Sequence, residues 1–185
     1  MPASRRVAYW GLSALGGGIV CLALDHLHVT HGVLYYPSPD FAQQAWWVFP
    51  LMAAATVGAL LLAGRFFPPN PPSIPASQGL AHAGVNLAIF ALAYAASAVL
   101  QSRTLVLALL TGLFVLNAAR RMTRAYALFC VLVMVAGTGW EIMWSGIGMF
   151  TYVHPDVLGV PVWLPLLYAN AAAAVEAASR TRPPS

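Results

Sequence analysis

Between residues 7 and 175 the sequence breaks into six apolar runs, at about 7–24, 41–63, 79–100, 104–119, 125–150 and 157–175. Crossing the hydrocarbon of a bilayer takes a helix of about 20 mostly apolar residues, about 17 at the short limit. No other feature limits the fold so tightly, because backbone amides in hydrocarbon must be satisfied inside the protein, which leaves helices for runs of this kind. Only 8% of the residues are charged, against roughly 25% in soluble domains. The expected fold is an all-α membrane protein: six transmembrane helices forming one domain over residues 1–185. Arg5 and Arg6 precede the first run as in a signal peptide, but no small-x-small cleavage site follows and five more runs do. That run reads as a retained helix.

All nine basic residues are arginines. With six crossings, Arg5, Arg6, Arg65, Arg120, Arg121, Arg124, Arg180 and Arg182 fall on one side and only Arg103 on the other. The positive-inside rule then places both termini in the cytoplasm. Short arginine clusters between apolar runs are not a nucleic-acid footprint. Cys21 and Cys130 lie inside apolar runs and read neither as a disulfide nor as a redox pair. The prolines of FFPPNPPSIP, residues 66–75, imply a stiff extended connection.

DHLHVTHGVLYYPSPD, residues 25–40, gathers Asp25, His26, His28 and His31, which suggests a metal site. Shifted by 116 positions, it meets EIMWSGIGMFTYVHPD, residues 141–156. Asp25 falls on Glu141, Gly32 on Gly148, Tyr36 on Tyr152, Pro39 and Asp40 on Pro155 and Asp156, and Trp47 on Trp163. The coincidence implies an internal parallel repeat, spans 1–2 related to spans 5–6 by an axis along the membrane normal. The second copy carries Ile142, Trp144 and Ile147 where the first has histidines, so the unit forms without a metal. The stretch reads as a re-entry loop with no metal, and Asp40 and Asp156 as caps on the helices that follow.

Few polar residues lie within the spans: Asn86, Gln101, Asn117, Thr138, Glu141 and Asn170. Unpaired amides are costly in lipid, so these face the bundle interior or a cavity. Glu141 and Asp25 sit at span ends, where water can reach them. Pro50 and Pro165 are expected to kink spans two and six and to open a cleft between them. Gly16, Gly17 and Gly18 allow close helix approach. Trp46, Trp47, Trp140, Trp144 and Trp163 suit an interfacial belt.

AWWVFPLMAAATVGALL (45–61), the Gly84-Val85-Asn86 triplet, Arg120–Arg121 and YVHPDVLGVPVWLP (152–165) together resemble the Insig family of six-span membrane proteins. The resemblance implies a non-catalytic, cofactor-free protein that holds a sterol or a neutral lipid such as diacylglycerol in its bundle. It implies a lipid-binding role for Gln101 and a contact to another membrane protein through Asp156; the residues themselves add Pro50 and Pro165 as the kinks that open the lipid cleft, Asn86 and Asn170 as polar groups facing it and Trp47 as a wall. His154 and Val157 depart from the family's serine and phenylalanine around that aspartate. An alanine- and arginine-rich composition without lysine suggests a bacterial homologue in the inner membrane; a eukaryotic one would lie in the endoplasmic reticulum. Competing readings are an intramembrane enzyme on an isoprenoid or carotenoid, with Glu141 as acid, and a small-molecule transporter. A homo-oligomer is compatible with either.

Overall fold

A computed structural model describes residues 3–71, 73–100, 102–119 and 121–183. Six helices appear in the expected order: α1 (Ala3–Thr30), α2 (Val48–Phe66), α3 (Ala76–Val99), α4 (Arg103–Ala118), α5 (Arg124–Gly146) and α6 (Leu164–Arg180). Two short strands, β1 (Leu34–Tyr35) and β2 (Thr151–Tyr152), follow α1 and α5. Residues 6–30 of α1, together with α2, α3 and α5, are long and apolar enough to cross a membrane. Helices α4 and α6 are shorter, with 16 and 17 residues.

α6 stands in the middle, with α2, α3, α4 and α5 all packed on it, while α1 lies against α2 and α3. Its NAAAAVEAAS run is buried on nearly every side. Small alanines let four neighbours approach, and a helix shielded from lipid can carry Asn170, Glu176 and Ser179. Gly17 and Gly18 face α2 as expected: a Cβ on Gly17 would lie 2.3 Å from Thr56, and one on Gly18 3.0 Å from Phe49, whereas Gly16 faces open space.

The helix ends explain the glycines and move the expected boundaries. At the end of α1, Gly32 takes φ +68° while Gly32 N–H donates to Val29 and Val33 N–H to His28. At the end of α5, Gly148 takes φ +79° with the same bonds from Gly148 to Ser145 and from Met149 to Trp144. Both are Schellman ends, which need a left-handed residue and select glycine. Asp25 and His28 therefore belong to α1 rather than to a loop, and α5 stops at Gly146, short of the expected 150.

Helices α2 and α6 begin seven residues later than the apolar runs suggest, at Val48 and Leu164 instead of 41 and 157. Ala42, Gln43, Leu158 and Gly159 all have positive φ, and the bridges Phe41–Gln44 and Val157–Val160 close a tight turn that no helix can include. Pro50 and Pro165 then lie in the first turns, where the first helical bonds run from Leu51 to Trp47 and from Leu167 to Trp163. Their missing N–H groups are ones the helix leaves unpaired anyway, so the expected kinks do not arise.

The two strands pair antiparallel, Leu34 with Tyr152 and Tyr35 with Thr151. Val153 N–H adds a bond to the Val33 carbonyl at 2.9 Å. Tyr35 and Thr151 are 116 residues apart, so the ribbon is centred on corresponding positions. The bond matching Val153 to Val33 would need an N–H at position 37, which is proline. This ribbon closes the end of the bundle that carries Arg103; the opposite end collects the other arginines whose side chains are described.

Candidate functional site

Beneath the ribbon lies a layer of buried and half-buried polar groups. Asp25, 3% exposed, accepts from the Tyr36 hydroxyl at 2.8 Å and from Gln44 Nε2 at 2.7 Å. Gln44 Nε2 also reaches the Leu22 carbonyl. Glu141 accepts from the Tyr152 hydroxyl at 3.2 Å and from the Tyr168 hydroxyl at 2.7 Å. Neither carboxylate is the hydrated end-group that its place near a span terminus suggests; each is held by phenols. Burial and the neighbouring carboxylates push the Tyr36 and Tyr152 phenols up, so both remain donors at neutral pH.

Gly137, one helical turn before Glu141, makes the second of these contacts possible. A Cβ there would sit 2.2 Å from Tyr168 Cδ1, so the bare backbone leaves room for the ring whose hydroxyl reaches Glu141. Gly139 in the same GTG triplet faces open space.

The histidines separate. His28, 1% exposed, stacks on Tyr94 with centroids 4.2 Å apart and bonds Ser97 Oγ at 2.9 Å. His31 Nδ1 donates to the Leu27 carbonyl at 2.8 Å. Asp25 is occupied by Tyr36 and Gln44, and among the described residues no three ligating side chains are grouped to hold a metal. His28 instead matches Trp144: His28 meets Trp163 edge-on at 5.7 Å, and Trp144 stacks on Trp47 at 5.4 Å. Trp46 and Trp140 are the exposed members of the expected belt, while Trp163 is buried and Trp47 and Trp144 half-buried.

Asp40 and Asp156 do not cap the helices directly. Asp40 Oδ2 accepts from Trp46 N–H at 3.0 Å and Asp156 Oδ2 from Val162 N–H at 2.9 Å, each one residue before the helix cap. The carboxylates fix the turn that aims the chain into α2 and α6. Asp156 also pairs with Arg103, the lone arginine of this end. Beside that pair opens a cleft of about 340 Å³, lined by His31, Ser97, Leu100, Arg103, Asp156 and Trp163. Gln101 lies outside the described residues, but its neighbours Leu100 and Arg103 are cleft walls.

At the other end, Asn86 is 1% exposed; its Nδ2 donates to the His82 carbonyl at 2.7 Å and its Oδ1 accepts from Arg121 at 2.6 Å. Arg121 also donates to Glu176 at 2.8 Å, and Arg180 pairs with the second oxygen of Glu176. Arg120 lies outside the described residues. Asn170 Nδ2 ties α6 to the Leu110 carbonyl of α4 at 3.0 Å, and its buried Oδ1 has no partner among the described residues.

The expected site residues therefore do not converge. Trp47 belongs to the aromatic layer under the ribbon, Pro50 is exposed in the first turn of α2, and Pro165 is half-buried in that of α6. Asn170 lies in the core and Asn86 near the arginine cluster. Sequence reading did not single out Gln44, Tyr168, Ser97 or Glu176. Only Glu176 carried a signal, as the sole acid inside an alanine run.

This arrangement defines an integral membrane protein: a helical bundle with a shielded central helix, a ribbon over one end and arginines at the other. Its fold is that of a mycobacterial Insig homologue, MvINS from Mycobacterium vanbaalenii, with a TM-score of 0.80, 24% identity, and coverage of 97% of this chain and 98% of that one. A cross-linked trimer of an MvINS variant superimposes equally, with a TM-score of 0.79 over the same coverage and at the same identity. No family model and no curated protein matches the sequence. The chain is thus Insig-like in fold, as the motifs at 45–61 and 152–165 imply.

Proposed function

We propose that this protein is a bacterial, non-catalytic Insig-type membrane protein that holds a neutral lipid such as diacylglycerol, or a sterol, by its polar end. The observation that carries this reading is the cleft beside the Arg103–Asp156 pair. Its volume of about 340 Å³ is at the small end of ligand pockets, roughly 300–1,000 Å³. That accommodates a glycerol-sized head and the start of its chains, with the remainder along the lipid-facing grooves. Ser97 and His31 offer hydrogen bonds there, and Leu100 and Trp163 give apolar wall; Gln101, expected as a lipid contact, lies outside the described residues. Trp47, Pro165, Asn170, Asn86 and Pro50 do not line this cleft, and any role they have in the reading is in holding the bundle together.

In this reading α1–α2 and α5–α6 are parallel duplicates, all six helices span the inner membrane, and both termini are cytoplasmic. The matched turns at Gly32 and Gly148, the matched Asp40 and Asp156 bonds, and the gathering of arginines at one end support it. Asp156, at the mouth of the cleft, is where a partner membrane protein would sense occupancy, and self-association fits a fold for which the MvINS variant is a trimer. An enzyme acting through Glu141 is less well supported: both Glu141 oxygens accept from tyrosines, and the residue lines neither described cleft.

Native mass spectrometry with lipid extraction tests the reading. A stoichiometric neutral lipid retained through detergent purification is the expected result. If none co-purifies, and neither added diacylglycerol nor sterol raises the melting temperature, the proposal fails.

A further inference from the structure

We propose that the arginine-bearing end of the bundle contains a second, separate site, which binds the phosphate diester of an anionic membrane lipid. This does not rest on the neutral-lipid reading. A cleft of about 400 Å³ opens there, walled by Phe66, Phe67 and Tyr126 and floored by Arg121, Glu176 and Arg180. Glu176 is buried and gives one oxygen to each guanidinium, Oε2 to Arg121 and Oε1 to Arg180. It acts as a spacer that holds the two cations apart at the cleft floor. The trio keeps a net charge of +1, which the single charge of a phosphate diester balances.

Donor capacity remains after these bonds. Arg180 uses Nε on Glu176, and among the described residues neither of its terminal nitrogens has a hydrogen-bond partner. Its guanidinium carbon lies 5.3 Å from the Phe67 ring centroid, so the ring steadies the fork without consuming a donor. The Tyr126 hydroxyl is buried at the cleft wall and is also unpartnered among the described residues. A planar fork with free N–H groups matches phosphate oxygens.

The aromatic walls favour a lipid over a free anion. Phe66 and Phe67 end α2, and Tyr126 starts α5, at the level where apolar helix gives way to arginine. A diester anchored on Arg180 would send its acyl chains back along these rings. Basic pockets between membrane helices recognise anionic headgroups in this way.

The test uses the full chain in uncharged detergent, with thermal unfolding followed against three probes: dihexanoylphosphatidylglycerol, dihexanoylglycerol and inorganic phosphate. The phospholipid is expected to raise the melting temperature saturably, and Arg180→Gln to weaken its apparent affinity roughly tenfold. Binding of dihexanoylglycerol should be unchanged in Arg180→Gln, so failure here is distinguishable from failure of the neutral-lipid site. Inorganic phosphate reproducing the shift would overturn the lipid assignment, and an Arg180→Gln protein that binds the phospholipid like the parent would overturn the site. Should the variant not fold, the unaltered protein still decides. Its affinity for the phospholipid should fall as salt rises from 0.01 M to 0.1 M, where the screening length shrinks from about 30 Å to about 10 Å. No change with salt overturns the proposal as well.

Discussion

Gly137→Ala should unfold this protein far more easily than Gly139→Ala, although the two positions are two residues apart on α5. At Gly137 the new methyl would meet Tyr168 Cδ1 at 2.2 Å and Cε1 at 2.3 Å, so the ring must move. Forcing a methyl into a packed interface costs about 1–3 kcal/mol. Moving the ring also removes its 2.7 Å hydrogen bond to Glu141, a loss of about 1.5–3 kcal/mol when the acceptor is charged. Better helix propensity returns at most about 1 kcal/mol. The net cost is about 1.5–6 kcal/mol, which at roughly 2–4 °C per kcal/mol lowers the melting temperature by about 3–24 °C. At Gly139 only the propensity gain operates, because nothing lies within 4 Å of the added carbon. Thermal unfolding in one detergent, with both variants compared against the parent, measures the difference. If Gly137→Ala proves as stable as Gly139→Ala, α5 does not pack on Tyr168 as described and the account of Glu141 fails with it.

Other perturbations separate contacts of different kinds. Arg103→Ala should cost under about 1 kcal/mol, since the arginine side chain is 64% exposed, whereas Asp156→Ala should cost more because it also releases the Val162 N–H; chemical unfolding of the two variants gives the order. Tyr36→Phe should lose about 1–3 kcal/mol by leaving Asp25 with Gln44 alone, and Tyr35→Phe, which lacks that bond, is the control in the same assay. Stability should hold toward alkali until about pH 10 and fall above it. Tyr36 and Tyr152 keep their protons to higher pH folded than unfolded, so the unfolded chain binds fewer protons there; the share of tyrosinate absorbance lost in a Tyr36→Phe, Tyr152→Phe double variant should be the share that appears with unfolding.

Much of the architecture is written in local pattern. Six apolar runs gave six helices because apolar length is a property of each segment alone; Gly32 and Gly148 were legible as matching positions of the repeat, but not as the left-handed residues that end α1 and α5. What stayed hidden depends on atoms distant in sequence or on backbone that residue type does not signal. Ala42, Gln43 and Leu158 take positive φ without being glycine, so nothing marked where α2 and α6 begin, and Pro50 and Pro165 were misread as kinks. The burial of Asp25 follows from donors 11 and 19 residues later, and the Arg121–Glu176 pair from residues 55 apart. The candidate clefts were illegible for the same reason: each is a gap between elements, and its walls share no motif.

The central position of α6 has a consequence for biogenesis. The helix around which α2, α3, α4 and α5 assemble is the last of the six to leave the ribosome. Until it arrives, the Gly137 notch has no Tyr168 and Arg121 has no Glu176. Contacts of such long separation form late. A chain truncated before residue 164 should therefore keep the α1–α2 contact but lack the central packing of α3, α4 and α5, and so be recognisable to membrane proteases; arrival of α6 and completion of the bundle become one checkpoint.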